Sequence, residues 1–314
     1  MSDDLVRFCQ EFLIDDDPVA ALIRCGVPKS EAPRISETLM AQESTWLYIE
    51  ISRNQRLYSQ DPRYQNPPPA ILDNIFYCCT QKTGSQWLKA VLRDHAFFQA
   101  TGMPILPYIS FGNRFAQFAG PMPANTVVTH LYIGRDAYGA IPKPASYKCF
   151  YVARDPRDAL VSWFYSAKFS HIGVDPIPRL RRVLQEMSED DGYCHLIDAL
   201  HGWGVYDSQR SWFELDGGDF RLFRYEDLAS DEAAFITQLF AYLNLEMPAE
   251  VMNDLVDRHH FAKYANGRQK GDEDQTSHYR AGRVGEWRAR LSNRVVQHFR
   301  SATGDLAELM GYPA

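Results

Sequence analysis

Residues 75–88 read IFYCCTQKTGSQWL, an apolar run followed by a polar loop and the apolar start of a helix. Strand, Gly-containing loop and helix, in this order, form a common cradle for anions. Backbone N–H groups at the helix start point at the anion, and the helix dipole favours negative charge there. Gly84 allows a close approach of the backbone, while Lys82, Thr83 and Ser85 supply a cation and two hydroxyl donors. The stretch therefore predicts an anion-binding loop between a buried strand and a helix.

The order of residues in this loop bears on which anion it binds. A nucleoside-triphosphate loop ends in Gly-Lys-Ser/Thr, with the hydroxyl on magnesium. Here Lys82 precedes Gly84, so the ATPase pattern is not met. Taken alone, the string is explained equally well as an ordinary turn between a strand and a helix.

A second strand–turn–helix pattern lies at residues 151–163, which read YVARDPRDALVSW. Pro156 suits the first helical position, and Asp155 is a good cap before it. Arg154 then lies at the end of the strand, and Ser162 lies two helical turns further on. The alternative interpretation is a surface network of ion pairs among Arg154, Asp155, Arg157 and Asp158.

A third string, YRAGRVGEW at residues 279–287, combines two Gly and two Arg in a short loop. Such a loop is a candidate anion clamp, although a string of this kind alone is most often just a basic loop.

In this order and at these separations, the three strings resemble the sulfotransferases that use 3′-phosphoadenosine 5′-phosphosulfate (PAPS), especially the soluble, cytosolic-type branch. That family has a 5′-phosphosulfate loop matched by residues 82–88, and an Arg…Ser motif for the 3′-phosphate matched by Arg154 and Ser162. Its late Gly-containing loop is matched by residues 280–287, and its Tyr-Glu-Asp triplet by residues 225–227. The resemblance extends from about Ile71 to the C-terminus.

The resemblance implies a parallel β-sheet flanked by helices, the P-loop-like sulfotransferase fold of the α/β class. It implies PAPS as co-substrate, 3′-phosphoadenosine 5′-phosphate (PAP) as product, and no metal. Trp87 and Phe261 would enclose the adenine, with plain core packing of the two aromatic side chains as the alternative. The implied nucleotide-binding residues are Lys82, Thr83, Gly84, Ser85, Gln86, Trp87, Arg154, Ser162, Tyr225, Phe261, Arg280 and Gly282. Two departures are Gln81, where the family has Pro, and Ala281, where it has Lys beside the 3′-phosphate.

Two residues are candidates for the chemistry of sulfuryl transfer. Lys82 is the candidate cation for the leaving phosphate. His130 lies in the string Thr129-His130-Leu131, which resembles the string that holds the family's catalytic His. A neutral imidazole suits a general base for a hydroxyl near pH 7. The alternative for His130 is a hydrogen-bonded histidine at the end of a strand.

The predicted function is sulfuryl transfer from PAPS to a hydroxyl or amine of a small acceptor with an apolar or aromatic body. A sugar or a carrier-bound acyl chain is an alternative acceptor. Candidate pocket residues, for which core packing is an equal alternative, are Tyr108, Phe111, Phe115, Phe118, Trp203, Tyr206, Trp212 and Phe213. The alternative functions are a small-molecule kinase or other nucleotide-dependent transferase, and a non-catalytic nucleotide-binding or DNA-associated protein.

Length and composition narrow the class of protein. The chain has 314 residues, of which 45% are hydrophobic, which is enough for a sizeable core. Its net charge of −7 argues against a general nucleic-acid binder. Its six cysteines show no CxxC spacing, which favours free thiols in a reducing compartment. The sequence shows no membrane anchor, so we expect a cytoplasmic protein with no nucleic-acid or membrane partner.

The chain divides at a Pro-rich connector, Asn66–Pro69. We expect a helical N-terminal extension with its connector at residues 1–70 and the catalytic domain at residues 71–314. Strands are predicted at 75–80, 126–130, 148–153 and 219–224. Helices are predicted at 86–98, 156–169, 179–188, 195–202, 231–243, 249–257 and 292–310.

Overall fold

A five-stranded parallel sheet forms the centre of the protein. The computed structural model describes residues 3–107, 120–171, 173, 176–214 and 219–313, and all side chains there except those of residues 43 and 44. The strands are β1 (Asn74–Cys79), β2 (Ile105–Pro107), β3 (Thr126–Leu131), β4 (Tyr147–Ala153) and β5 (Phe220–Arg224). Their order across the sheet is β2-β3-β1-β4-β5. The predicted fold class, a parallel sheet flanked by helices, is confirmed.

Both faces of the sheet are buried, which explains the continuous apolar runs in the sequence. Successive side chains of β1 alternate between two cores, with Phe76 and Cys78 on one side and Ile75 and Tyr77 on the other. Strand β4 alternates in the same way. Each core is completed by helices that pack on its own face of the sheet.

The helices appear in chain order around this sheet. They are α1 (Asp3–Asp15), α2 (Pro18–Arg24), α3 (Ala32–Met40), α4 (Glu43–Gln60), α5 (Ser85–Arg93), α6 (His95–Thr101), α7 (Arg135–Ala140), α8 (Pro156–Tyr165), α9 (Ile177–Glu186), α10 (Glu189–Gly202), α11 (Val205–Glu214), α12 (Tyr225–Ser230), α13 (Glu232–Leu243), α14 (Ala249–His259), α15 (Phe261–Tyr264), α16 (Trp287–Arg290), α17 (Asn293–Thr303) and α18 (Leu306–Leu309). A π-helical turn at Ser166–Ser170 extends α8.

The main differences from the predicted elements have local causes. The helix predicted at 86–98 is two helices, because Asp94 ends α5 and its carboxylate caps α6 by accepting from Ala96 N. The helix predicted at 292–310 is likewise interrupted at Gly304, which has a φ of 64°. The sequence prediction missed β2, a strand of only 3 residues, and the short helices α7, α12, α15 and α16, as well as α11.

Helices α1–α4 share an apolar cluster of their own, centred on Phe8, Phe12 and Ile49. Helix α4 also contacts the edge strand β2. Asn54 Nδ2 donates to the carbonyl oxygen of Ile105 at 2.7 Å, and Ile105 N donates to the Tyr58 hydroxyl at 3.0 Å. Helix α4 thus covers backbone groups that an edge strand would otherwise expose. The domain boundary near residue 70 stays a prediction.

Candidate active site

Four adjacent strands end at the same edge of the sheet, and each brings one predicted site residue there. Lys82 follows β1, His130 is the penultimate residue of β3, Arg154 follows β4 and Tyr225 follows β5. All four line a single cavity of about 560 Å³. This edge, where the strands have their carboxyl ends, is where open α/β sheets bind ligands.

The loop after β1 is held in a strained backbone conformation. Lys82 has a φ of 69°, which is unusual for a residue with a side chain, and Gly84 has a φ of 77°. A Cβ on Gly84 would lie 3.1 Å from Leu228 and 3.3 Å from Tyr225, so only glycine fits both the angle and the space. The loop leads into α5, whose first turn faces the cavity through Ser85 and Gln86.

Thr83 differs from its predicted role as a donor to the anion. Its side chain is fully buried, and its hydroxyl donates to the carbonyl oxygen of Thr80 at 2.8 Å. Thr83 is the only predicted nucleotide-binding residue that does not line the cavity within the described part of the chain. Its hydroxyl therefore stabilises the shape of the loop.

Arg154 connects two of the three predicted anion loops. Its Nη1 donates to the carbonyl oxygen of Lys82 at 2.8 Å, and its Nη2 donates to that of Arg283 at 3.3 Å. Its guanidinium carbon lies 4.1 Å from the centre of the Tyr225 ring, a cation–π distance. Its Nε is buried without a hydrogen-bond partner among the described residues. Arg154 therefore has donor capacity left for a ligand.

The interpretation of residues 154–158 as a surface network is wrong, because all four charged side chains are buried. Asp155 forms an ion pair with Arg157 at 2.9 Å. Asp158 accepts hydrogen bonds from the backbone N–H groups of Gly285, at 2.5 Å, and Trp287, at 2.9 Å. The carboxylate of Asp158 thus fixes the third predicted loop to the start of α8.

Two cations of the third loop region are paired with carboxylates in this structure. Arg280 donates to Glu273 at 2.7 Å and forms a second, very close ion pair with Glu286. Lys270 lies 3.0 Å from Glu232. Gly282, with a φ of 61°, lets the backbone pass Phe261, since a Cβ there would lie 3.1 Å from that ring. 

The cavity is strongly positive although the chain as a whole is acidic. Eight Lys or Arg residues and three Glu residues line it, whereas the net charge of the chain is −7. Burial, and then repulsion from Arg154 and Arg280, lower the pKa of Lys82 from 10.5 to about 7. Such a surplus of partly buried cations favours a ligand with several negative charges.

His130 is buried, with 6% of its surface exposed. Burial, and then the nearby charges of Lys89 and Arg93, lower the pKa of His130 to about 3. Nε2 of His130 lies 3.4 Å from Nε2 of Gln86. Because the amide nitrogen of Gln86 can only donate, the lone pair of His130 Nε2 accepts in this contact. Its Nδ1 is buried without a partner in the described ranges. The centre of its imidazole ring lies 4.8 Å from the centre of the Tyr132 ring.

The two predicted adenine-contact residues, Trp87 and Phe261, are buried and line the same cavity. Trp87 Nε1 donates to the carbonyl oxygen of His259 at 2.5 Å. The side chain of His259 is held in turn by Asp94, at 2.9 Å, and by the Tyr264 hydroxyl, at 2.5 Å. These contacts fix the position of Trp87 relative to α14 and α15.

Several lining residues were missed by the sequence reasoning. They are Trp46, Glu50 and Arg53 of α4, Lys89 and Arg93 of α5, Tyr132, His171, Lys270 and His278. Lys89 and Arg93 follow Ser85 at intervals of four residues, which places them on one face of a helix. That spacing was a usable signal, whereas nothing in the sequence indicated that α4 reaches the cavity.

Of the eight aromatic residues predicted to line an acceptor pocket, the four that the structure describes pack in or against the hydrophobic core. Tyr206 and Trp212 are core residues, and Trp203 and Phe213 pack against the same core. The positions of the other four, Tyr108, Phe111, Phe115 and Phe118, lie outside the described residues.

Comparison with known proteins assigns the family. The model of the sulfotransferase domain matches residues 72–311, which is most of the chain. This chain belongs to the sulfotransferase family. Sulfotransferase 6B1 of Pan troglodytes is 25% identical over 224 residues, covering 69% of this chain and 70% of the relative. Cytosolic sulfotransferase 17 of Arabidopsis thaliana is 22% identical over 258 residues, covering 71% of each.

Among solved structures, mouse sulfotransferase SULT7A1 complexed with PAP aligns with a TM-score of 0.49 at 16% identity, covering 77% of this sulfotransferase and 89% of that chain. In the described part of the chain, none of the helices combines the length and apolar character needed to cross a membrane. In the same ranges, no three His, Cys, Asp or Glu side chains gather as they would around a metal ion.

Proposed function

We propose that this sulfotransferase transfers a sulfuryl group from PAPS to a hydroxyl or amine of a small acceptor. The observation that carries the proposal is the convergence of Lys82, His130 and Arg154 on one cavity with a large surplus of positive charge. The 3′-phosphate and the phosphosulfate of PAPS supply negative charge at two separate points. The cavity offers cations at the end of β1 and at the end of β4, so the residues present fit this nucleotide.

The nucleotide contacts follow from the elements that line the cavity. The loop at residues 82–87 would hold the phosphosulfate, with N–H groups of the first turn of α5 directed at it. Arg154, Ser162 and Arg280 would hold the 3′-phosphate, and Gly282 lets the loop backbone approach it. Because Ala281 lacks the cation that the family has there, Arg154 and Arg280 carry more of that contact. Tyr225, Trp87 and Phe261 would contact the nucleoside.

PAPS supplies a sulfuryl group attached to a phosphate, which leaves as PAP. The protonated side chain of Lys82 stabilises the negative charge that develops on the leaving phosphate. An anion beside Lys82 raises its pKa above the value of about 7 found without one, so the side chain is charged when it is needed.

His130 accepts the proton of the acceptor hydroxyl as the new O–S bond forms and the bond to the phosphate breaks. Its low pKa keeps the imidazole neutral at neutral pH. The Nε2 lone pair, which accepts from the Gln86 amide in this structure, then accepts from the acceptor hydroxyl instead. The negative charge of bound nucleotide favours the imidazolium that forms, which makes His130 a stronger base in the complex than in the free protein. Positioning and electrostatics thus account for catalysis, as in phosphoryl transfer.

Cytoplasmic localisation, no dependence on a metal, and no nucleic-acid or membrane partner are part of the proposal. All six cysteines are free thiols, which supports a reducing compartment.

Calorimetry with PAP, PAPS and ATP in parallel tests the proposal. PAP and PAPS should bind, and EDTA should not change their affinity. ATP should bind far more weakly, with or without magnesium. Magnesium-dependent ATP binding that exceeds PAP binding would instead favour the small-molecule kinase. In a turnover assay, PAP should accumulate from PAPS only when an acceptor is present.

A further inference from the structure

A partly buried group of four charged side chains lies where α4 faces α5, and we call it the α4–α5 charge cluster: Glu50, Arg53, Lys89 and Arg93. All three cations form ion pairs with the carboxylate of Glu50. Its oxygens lie 2.5 Å from Arg53, 2.5 Å from Arg93 and 3.2 Å from Lys89. The side chain of Arg53 is 37% exposed and is shared with the exposed carboxylate of Asp16 at 3.5 Å.

This cluster lines the same cavity as the nucleotide loop but at a different place along α5. With a rise of about 1.5 Å per residue, Lys89 and Arg93 lie roughly 6 Å and 12 Å beyond Ser85 along the helix axis. Gln86, which faces His130, lies between. Lys89, Arg93 and His130 line this cavity together, and the two positive charges help to lower the pKa of His130. The cluster is therefore on the acceptor side of the proposed reaction centre.

The cluster contains more cations than its carboxylate can neutralise. Burial alone would raise the pKa of Glu50, yet Lys89, Arg93 and Arg53 hold it well below its usual range. Burial lowers the pKa of Lys89 despite the nearby Glu50. Arg93 Nε is buried without a hydrogen-bond partner among the described residues. An uncompensated, partly buried cation and a buried, unpaired donor are both costly, and both are relieved by an anionic ligand.

Helix α4 lies outside the stretch, residues 72–311, that matches the sulfotransferase domain. Its residues therefore extend the lining of the cavity beyond the part of the chain that matches this domain. We infer that the acceptor carries an acid group, a carboxylate or a phosphate, which binds Lys89 and Arg93 while its hydroxyl or amine faces His130. This inference rests on the proposed function. It replaces the sequence-based expectation of an acceptor with a mainly apolar body, although Trp46 supplies an apolar surface at the same end.

The test measures ligand binding to the full-length protein saturated with PAP. The probes are ω-hydroxycarboxylates and ω-hydroxyalkyl phosphates of increasing chain length. Each is compared with a neutral partner, the primary amide or the diol. An acid should bind at least about tenfold more tightly than its neutral partner, as expected for a charge-assisted contact. Whether carboxylates or phosphates bind better identifies the acid group.

Substitutions in the α4–α5 charge cluster should change the ratio of acid to neutral affinity in opposite directions. Arg93→Gln and Lys89→Gln should each lower the ratio of acid to neutral affinity by about tenfold. Glu50→Gln should raise it, because the carboxylate no longer competes for the cations. The double variant Glu50→Gln/Arg93→Gln keeps the local charge balanced, which guards against misfolding of the single Arg93 variant. Arg34→Gln, on the exposed surface of α3, is the matched control and should leave the ratio unchanged.

The outcomes separate this inference from the function on which it rests. Failure of the unaltered protein to bind PAP would overturn the proposed function and the inference with it. PAP binding with equal affinity for acids and neutral partners, or with no acid binding, would overturn the inference alone. So would an unchanged ratio in the Lys89 and Arg93 variants, since a purely structural cluster would alter stability and not the ratio.

Discussion

Arg154 Nη1 donates a hydrogen bond to the carbonyl oxygen of Lys82 at 2.8 Å, across 72 residues of sequence. This contact ties the end of β4 to a loop residue whose φ of 69° is otherwise unfavourable. The residue proposed to bind the 3′-phosphate therefore also shapes the loop proposed to bind the phosphosulfate. Substitution of Arg154 is expected to disturb both ends of the nucleotide site, so a cleaner probe of the 3′-phosphate is needed.

Ser162→Ala provides that probe, because Ser162 lines the cavity from α8 and makes no contact with the loop after β1 among the described hydrogen bonds. PAP should bind the unaltered protein at least about tenfold more tightly than AMP, which lacks the 3′-phosphate. Ser162→Ala should narrow this gap by weakening PAP and leaving AMP unchanged, whereas Arg154→Ala should weaken both. Calorimetry measures the two affinities, with Ser301→Ala, on the exposed face of α17, as control. If the difference between PAP and AMP affinity were unchanged in Ser162→Ala, Ser162 would not contact the 3′-phosphate.

Lys82 should take up a proton when PAP binds. Its pKa of about 7 means that the free side chain is mostly neutral at pH 8, and a bound anion raises that pKa. At pH 8 the phosphates are already fully ionised, so binding should be coupled to uptake of up to about one proton. PAP affinity should accordingly fall as the pH rises above 7. Calorimetry in buffers of different ionisation enthalpy measures the uptake, and Lys82→Met should abolish it. Equal uptake in that variant would mean that another group titrates.

The convergence of the strand ends could be predicted, because each anion loop follows an apolar run and precedes a helix in the sequence. The strand-to-loop transitions at Lys82 and Arg154 are local patterns of this kind. The remaining parts of the site depend on contacts between distant residues. Asp158 holds Gly285 across 127 residues, and Glu50 reaches Arg93 from a helix that precedes the sheet. Residue type alone does not show which carboxylate serves as an anchor, since this depends on packing.

Asp158 should be necessary for the third loop to bind the nucleotide. Its carboxylate accepts two backbone N–H groups, and the amide of Asn has only one oxygen to replace it. Asp158→Asn leaves a buried N–H donor facing an NH2 group, which costs about 1–3 kcal/mol. We expect a lower Tm and PAP affinity reduced roughly tenfold, which corresponds to about 1.4 kcal/mol. Asp257→Asn, on the exposed face of α14, is the control. Unchanged PAP affinity at a lowered Tm would confine Asp158 to a role in folding.

His130 is expected to take the acceptor proton, so His130→Ala should lower turnover by about 10²–10⁴-fold while PAP binding is kept. An acidic phenol needs the base less than an aliphatic alcohol does and should be less sensitive to the substitution. His298→Ala, at a half-buried position of α17 that does not line the cavity, is the control and should have full activity.

The pH dependence of kcat/KM distinguishes His130 from an ordinary solvent-exposed histidine. A histidine with the usual pKa of about 6.5 would cause activity to fall below that pH. Because burial lowers the pKa of His130 to about 3, the imidazole of the free enzyme stays neutral well below pH 6, and no such fall is expected between pH 7 and pH 5 from this group. The profile is that of kcat/KM for PAPS, which reports the enzyme before the nucleotide binds, with an aliphatic alcohol as acceptor. PAP binding is measured at each pH beside it to separate the titration of Lys82. Near-full activity of His130→Ala with that alcohol would show that another group or a bound water takes the proton. The nucleotide site would then stand without this assignment.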